Sequence, residues 1–255
     1  KILKFKNLKE LGELVAPHSY RILKKDCLDL PDKVYMKRYV ELTDEQKKAY
    51  AEMKENALAT LNGSSATAFN VLTQLIRLHQ ITCGHMATDN HDIIDIKSNR
   101  LNELMQILGE NSGKVIIWAN YIYDINQIKK AIEKEFGNDS YCTYYGATLA
   151  KDRQKCINDF QDPDSPVRFF IGNTQTGGYG ITLTAASTVI YYSNNYDLEK
   201  RIQSEDRAHR IGQMNKVLYI DLVAKGTVDV KIIRSLRNKV NIAKEISGEE
   251  LITWI

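Results

Sequence analysis

Gln203, Arg207 and Arg210 sit in the stretch QSEDRAHRIGQ, spaced by four and then three residues. On a helix those spacings put all three side chains on one face. Two guanidinium groups so close repel each other unless something anionic lies between them. Arginine carries a planar fork of donors that matches phosphate oxygens. Two forks on one face therefore suit an anion with spread charge, such as a phosphoryl group in transfer. The plainer alternative is a surface pair between Asp206 and Arg210, of a kind that contributes only ~0.2–1 kcal/mol. It leaves Arg207 unexplained.

Two further stretches could approach a ligand. GNTQTGGYGI (172–181) is rich in glycine and hydroxyls. Gly178 and Gly180 would let backbone come close, and exposed N–H groups in such a loop can cradle phosphate oxygens; a tight turn would use the same residues. Asn120 follows the apolar run KVIIWA (114–119), where a polar residue is either a ligand contact or a helix cap. Cys83-Gly84-His85 offers two metal-ligand types, but no second pair matches it and the four cysteines show no finger spacing. The expectation there is a helix-end cysteine before a turn, with no metal.

These residues need a frame. VYMKRYVEL (34–42) alternates as a strand does. TDEQ (43–46) can form a capping box for a helix running to about Leu61, which NGSS (62–65) breaks. A second helix spans roughly Ala68 to Thr82 and ends at Gly84; residues 87–95 read as a loop. From about Lys97 the rhythm changes. KVIIWA, YCTYY (141–145), VRFFI (167–171), TVIYY (188–192) and VLYIDLV (217–223) are short β-rich runs, separated by amphipathic helical stripes such as Ile122, Ile125, Ile128 and Ile132. That alternation predicts an α/β fold with a mostly parallel, buried sheet. Ligands of open α/β sheets collect beyond the carboxyl ends of the strands. Asn120, the glycine stretch and QSEDRAHRIGQ all follow such ends. Asp197 is placed to cap a helix from about Leu198 to Arg210, and Gly212 to end it.

Composition sets the outer bounds. With 255 residues and 43% hydrophobic content, the chain can bury a core. No apolar run approaches the ~20 residues of a membrane helix. The first residues, KILKFKNLKE, lack a secretory pattern, so an intracellular protein is expected. The net charge of +3 decides little, but residues 1–38 hold ten Lys/Arg against five Asp/Glu, and residues 225–245 six against two. Such segments can follow a phosphate backbone or simply face solvent.

The pattern Gln-x-x-x-Arg-x-x-Arg-Ile-Gly-Gln closely resembles the last helicase motif of Swi/Snf-type DNA translocases. GGYGITLTAASTVIYY (177–192) resembles the motif before it, and KVIIWANY (114–121) the first strand of the second motor lobe. YYGATLAKDRQKCINDF (144–160), LIRLHQITCGH (75–85) and residues 15–46 are similar to further family segments, in order. Two departures stand out. Ser193-Asn194-Asn195-Tyr196-Asp197-Leu198 replaces the Asp…Trp-Asn-Pro of many eukaryotic members, and Thr182 replaces an Asn. They point toward a bacterial or phage translocase rather than a nucleosome remodeller.

The resemblance implies a RecA-like, three-layer lobe over residues 96–255. Residues 1–95 would supply the lobe junction and an N-terminal helical insertion. It implies that ATP and Mg2+ are bound mainly by a first lobe, since neither the Gly-x-x-x-x-Gly-Lys-Ser/Thr loop nor the acidic box is present here. By the same resemblance Arg207 and Arg210 are arginine fingers, Gln203 orients them, and Gly178 and Gly180 approach the nucleotide. Asn120, Gly146, Thr148, Thr174, Gln175 and Thr176 would grip double-stranded DNA away from the finger helix, without reading sequence. The finger face is expected open and unpaired, turned toward the missing lobe. The partners implied are duplex DNA and the N-terminal lobe, with no membrane. A non-catalytic nucleic-acid-binding module on the same scaffold is the alternative. A dinucleotide-dependent dehydrogenase lacks its GxGxxG fingerprint here.

Overall fold

The apolar runs assemble into one six-stranded sheet in which every neighbouring pair is parallel. The computed structural model describes residues 6–20, 27–61, 64–68, 70–90, 92–177 and 180–247. The strands are β1 (Lys33–Val40), β6 (Lys114–Trp118), β7 (Tyr141–Tyr144), β8 (Phe169–Gly172), β9 (Ala186–Tyr191) and β10 (Val217–Ala224), in the order β1-β10-β9-β6-β8-β7. Parallel neighbours need crossovers, and the helices that make them cover both faces. Alternate residues of one strand therefore enter different cores. Val115 and Ile117 pack with Leu104 and Leu108 of α4 (Arg100–Glu110) and with Ile125, Ile128 and Ile132 of α5 (Ile122–Phe136). Ile116 and Trp118 pack on the opposite face with Phe160 of α6 (Ala150–Gln161) and with Ala208. This is the expected α/β three-layer arrangement.

Besides α1 (Leu8–Val15), the first third of the chain forms α2 (Asp44–Asn56), α3 (Val71–Cys83) and two antiparallel hairpins, β2 (Leu58–Leu61) with β3 (Ser64–Thr67) and β4 (His85–Ala87) with β5 (Ile93–Asp95). Met53, Leu78, Ile81 and Met86 bury there against Val228, Ile232 and Leu236 of the long C-terminal helix, called α9 below (Val228–Ser247). Strand β1 joins this part to the main sheet through its full register with β10, Lys33 to Val217 through Val40 to Ala224.

Thr43 and Gln46 form the expected capping box. The helix they start stops at Asn56 rather than near Leu61, because Ala57 turns left-handed at φ 52° and releases the chain into β2. Asn62-Gly63, part of the stretch read as a helix breaker, lies outside the described residues; Ser64 and Ser65 belong to β3, which pairs antiparallel with β2. Likewise residues 87–95 include parts of a hairpin rather than only a loop. The second helix begins at Val71, capped by the Asn70 side chain, and ends at Gly84 with φ 97° as expected. Cys142 on β7 and Cys156 on α6, with Cα atoms 5.4 Å apart, are joined by a disulfide. Such bonds are uncommon in reducing compartments, where the pair would stand as two thiols in contact. Among the described residues no helix is long and apolar enough to cross a membrane.

Candidate functional site

The carboxyl end of β9 leads through Tyr192, Ser193 and Asn194 into α8 (Leu198–Glu205), with Asp197 accepting from the Lys200 amide as its N-cap. The helix ends at Glu205, one turn earlier than the sequence suggested. Arg207 and Arg210 therefore lie on the irregular turns that follow. There the helical ladder breaks: the Arg207 amide donates to the Ser204 carbonyl, the Gln203 carbonyl takes the Arg207 Nε instead, and the Arg207 carbonyl accepts from the Leu183 amide at 2.9 Å. Gly212, expected to end the helix, takes φ 97° within these turns. Gln213 closes the loop from inside, its amide nitrogen reaching the carbonyls of Thr184, Ala186 and Ala208.

This folding brings together the two stretches the sequence singled out. Arg207 donates from Nε to the Gln203 carbonyl at 3.0 Å and from Nη1 to the Ile181 carbonyl at 3.2 Å. Arg210 donates to the Thr182 hydroxyl at 3.3 Å and is exposed. Both side chains thus lie along the segment just after Gly180, which is exposed at φ 71° with open space where a Cβ would be. Gly178 lies outside the described residues. Burial, and then the neighbouring charge of Arg210, hold the Arg207 guanidinium below its ordinary pKa; Asp206 offsets part of this. The two cations therefore do feel one another. The expectation of an open, unpaired finger face needs correcting, since Arg207 is half-buried and held by carbonyls of its own lobe. Gln203 spends its side-chain amide on Glu199 at 2.9 Å, and its Oε1 is buried without a hydrogen-bond partner.

The other candidates follow the ends of β6, β8 and β7, which are adjacent in the sheet. Asn173 links two of these ends, donating to the carbonyls of Ala119 and Asn120 while its Oδ1 accepts from the Gln175 amide. The Asn120 amide donates to the Ser193 hydroxyl, joining the end of β9 as well. Thr174, Gln175 and Thr176 form a single helical turn, α7 (Thr174–Gly177); Thr174 is buried and Gln175 exposed. This turn packs against α8, so that part of the expected DNA grip adjoins the finger helix rather than lying away from it. Gly146 is exposed, with no atom within 4 Å of the place a Cβ would take. The Thr148 hydroxyl closes the turn by accepting from the Tyr145 amide and donating to the Thr143 carbonyl. Arg153 braces the same turn through the carbonyls of Tyr145, Gly146 and Thr148. Helix α6 follows with no side-chain cap, leaving first-turn N–H groups of a kind that bind phosphate.

Sequence reading missed the layer beneath the arginines. Arg201, Glu205, Asp221 and Asn194 form a buried polar cluster under α8. One signal was available: Asp221 is a charge in the middle of the apolar strand VLYIDLV, and a buried charge must be paired. A second cluster, around Arg100 and Asp229, was also missed.

Comparison with known proteins agrees with this fold. Residues 97–212 match the helicase conserved C-terminal domain. The chain is 29% identical over 259 residues to the ISWI chromatin-remodeling complex ATPase ISW1 of Saccharomyces cerevisiae, covering 93% of this chain and 22% of that protein. It is 29% identical over 263 residues to the uncharacterized ATP-dependent helicase MG018 of Mycoplasma genitalium, covering 96% and 25%. The chain thus spans about a quarter of the length of these curated relatives. Among solved structures, the C-terminal part of the Fun30 ATPase domain shares its fold, with a TM-score of 0.63 at 17% identity over 86% of this chain and 99% of that one. The Sulfolobus solfataricus SWI2/SNF2 ATPase core in complex with dsDNA aligns with a TM-score of 0.61 at 26% identity, over 94% and 52%.

Proposed function

We propose that this chain, whose residues 97–212 match the helicase conserved C-terminal domain on a RecA-like α/β lobe, serves as the second motor lobe of a SWI2/SNF2-type, ATP-dependent translocase on double-stranded DNA. The observation that carries this reading is the placement of Arg207 and Arg210 side by side along the Gly180–Thr182 segment, at the carboxyl edge of the sheet. Two cations that raise each other's energy are a fitting receptor for the phosphates of ATP. The fingers reach across to a γ-phosphate held on the first lobe, with Gln203 orienting them and Gly178 and Gly180 near the nucleotide. Such a finger supplies ~10³–10⁵ in rate, roughly 4–7 kcal/mol. In this reading Arg207 exchanges its bonds to lobe carbonyls for bonds to phosphate when the lobes close, and hydrolysis removes the target so that they part.

In this reading Mg2+ and most of the contacts to ATP belong to the first lobe. DNA is held at Asn120, the Gly146–Thr148 turn and Thr174–Thr176, through backbone amides and neutral hydroxyls. This fits the Sulfolobus relative, whose structure contains duplex DNA. Residues 1–95 form the lobe junction and helical protrusion, and residues 96–255 the motor lobe with its bracing C-terminal helix.

The test is ATP turnover with and without duplex DNA, on this lobe alone and on the lobe joined in cis to its first lobe. Alone it should not hydrolyse ATP and should bind DNA weakly, more weakly still as salt rises. Joined, it should show DNA-stimulated turnover that Arg207→Ala and Arg210→Ala each reduce by ~10³-fold or more. Unchanged turnover in both variants would remove the finger assignment. Salt-independent, sequence-selective binding by the lobe alone would favour a non-catalytic binding module.

A further inference from the structure

We propose that Arg201, Asp221 and Glu205 act as positioning residues that fix the direction of the Arg207–Arg210 segment without touching the nucleotide. The inference rests on the finger reading above and adds residues to it. Arg201 is buried, and its fork engages Asp221 bidentately, Nη1 to Oδ1 at 2.5 Å and Nη2 to Oδ2 at 3.2 Å. Its Nε reaches Glu205 Oε1 at 2.8 Å, one helical turn on. Asn194 closes the ring, accepting from Arg201 and donating to Asp221, each at 2.7 Å. The guanidinium lies over the Tyr191 ring, 3.5 Å from its centroid. Helix α8 is thereby tied to the ends of β9 and to the middle of β10.

Glu205 carries the orientation onward. Its second carboxylate oxygen accepts from the Tyr35 hydroxyl at 2.8 Å and from Lys33 Nζ at 3.1 Å, both on β1. Its main-chain carbonyl accepts from the Tyr219 hydroxyl of β10 at 2.9 Å. Glu205 is the last helical residue, two before Arg207 and five before Arg210. Three strands thus hold the point from which the arginine turns depart. Arg201 and Lys33 face the carboxylates of Asp221, Glu205 and, nearer the surface, Asp206, so every charge has a partner. Buried ion pairs contribute little net stability compared with apolar packing, so what such a network supplies here is direction. A guanidinium fork accepts one geometry, whereas an apolar contact accepts many.

The experiment uses the two-lobed enzyme that the proposed function requires. R201M/D221L removes both central charges together, so neither is left without the other, and Glu205 keeps Lys33 and the Tyr35 hydroxyl as partners. Expected is a folded protein with wild-type melting temperature, DNA affinity and KM for ATP, and a DNA-stimulated kcat lower by on the order of 10²-fold, the scale of a misplaced catalytic group. R201K keeps the charge, loses the fork, and should fall between the two; if the double variant does not fold, R201K carries the same comparison. Wild-type kcat in a folded variant overturns the proposal. So does a kcat that falls only in parallel with melting temperature and DNA affinity, because that is a loss of fold. Failure of the finger reading is separately visible, as unchanged turnover in R207A and R210A.

Discussion

Replacing Arg100 with methionine should be among the costliest single changes in this lobe. Arg100 opens α4 and is fully buried. Its Nε donates to the Thr82 carbonyl at 3.1 Å, and its Nη1 to the carbonyls of Tyr192 and Leu222 at 2.6 and 3.1 Å. Its Nη2 pairs with Asp229, which also accepts from the Thr82 hydroxyl and the Ala224 amide. One side chain thus joins the end of α3, two strand ends and the start of α9. Methionine fills similar space but leaves Asp229 buried without its countercharge. Breaking a buried pair from one side costs ~3–5 kcal/mol. The three carbonyls lose charged donors as well, so about 4 kcal/mol or more is expected, against a total stability of ~5–15 kcal/mol for a typical domain. For a chain of this size that is a fall of roughly 8–16 °C in Tm. Thermal and urea unfolding of the lobe measure it. Lys47→Met is the control: Lys47 and Asp44 pair at 3.0 Å on an exposed helix face, so its loss should cost under ~0.5 kcal/mol. If the two variants unfold alike, burial does not decide the value of these charges and the reasoning is wrong.

Other expectations follow from single observations. Ala57 ends α2 at φ 52°, where glycine is at ease, so Ala57→Gly should raise unfolding stability by roughly 0.5–1 kcal/mol; a loss would show the strain is absent. At Gly172 a Cβ would stand 2.7 Å from the Trp118 ring and 3.1 Å from the Tyr144 carbonyl, both in the core. Gly172→Ala should therefore cost about 1–3 kcal/mol in urea unfolding, and a neutral result refutes the tight packing of β8. Stability should decline with acid in two stages. Burial lowers the His79 pKa from 6.5, so its contribution is whole above about pH 6.5 and drains as pH falls toward the folded value. Burial alone would raise the Asp229 pKa, but the charges of Arg100 and His79 and the hydrogen bonds from the Ala224 amide and Arg100 together outweigh it and lower it below 3.8, so a second loss begins near pH 4. Unfolding free energies measured from pH 7.5 to 3 check both stages, and a flat profile above pH 5 rejects the His79 assignment.

The sheet was legible because its strands are short apolar runs between amphipathic stripes, and burial on both faces leaves little else for such runs to do. The hairpins were not, because Leu58–Leu61 and Ser64–Thr67 are only four residues each and carry no clear alternation; a positive φ at Ala57 is invisible in an alanine. In the site, residue types and spacing singled out the arginines and the glycine stretch, since neither fits the apolar periodicity of the strands and helices around them. Their juxtaposition came instead from a backbone bond, Leu183 amide to Arg207 carbonyl, that no side chain announces. The helix also ends at Glu205, so the one-face argument placed Arg207 and Arg210 on a helix that stops before them. The basic surplus of residues 1–38 shows the opposite limit. Lys33 pairs with Glu205 and Asp206, and Arg38 with Glu103 and Glu110, so part of that charge is consumed inside the lobe. A charge count measures supply, and only the folded chain shows how much is already taken. Lys33 is taken by the carboxylate at the foot of the arginine turns, so one of the charges counted toward a phosphate-following surface is spent inside the fold.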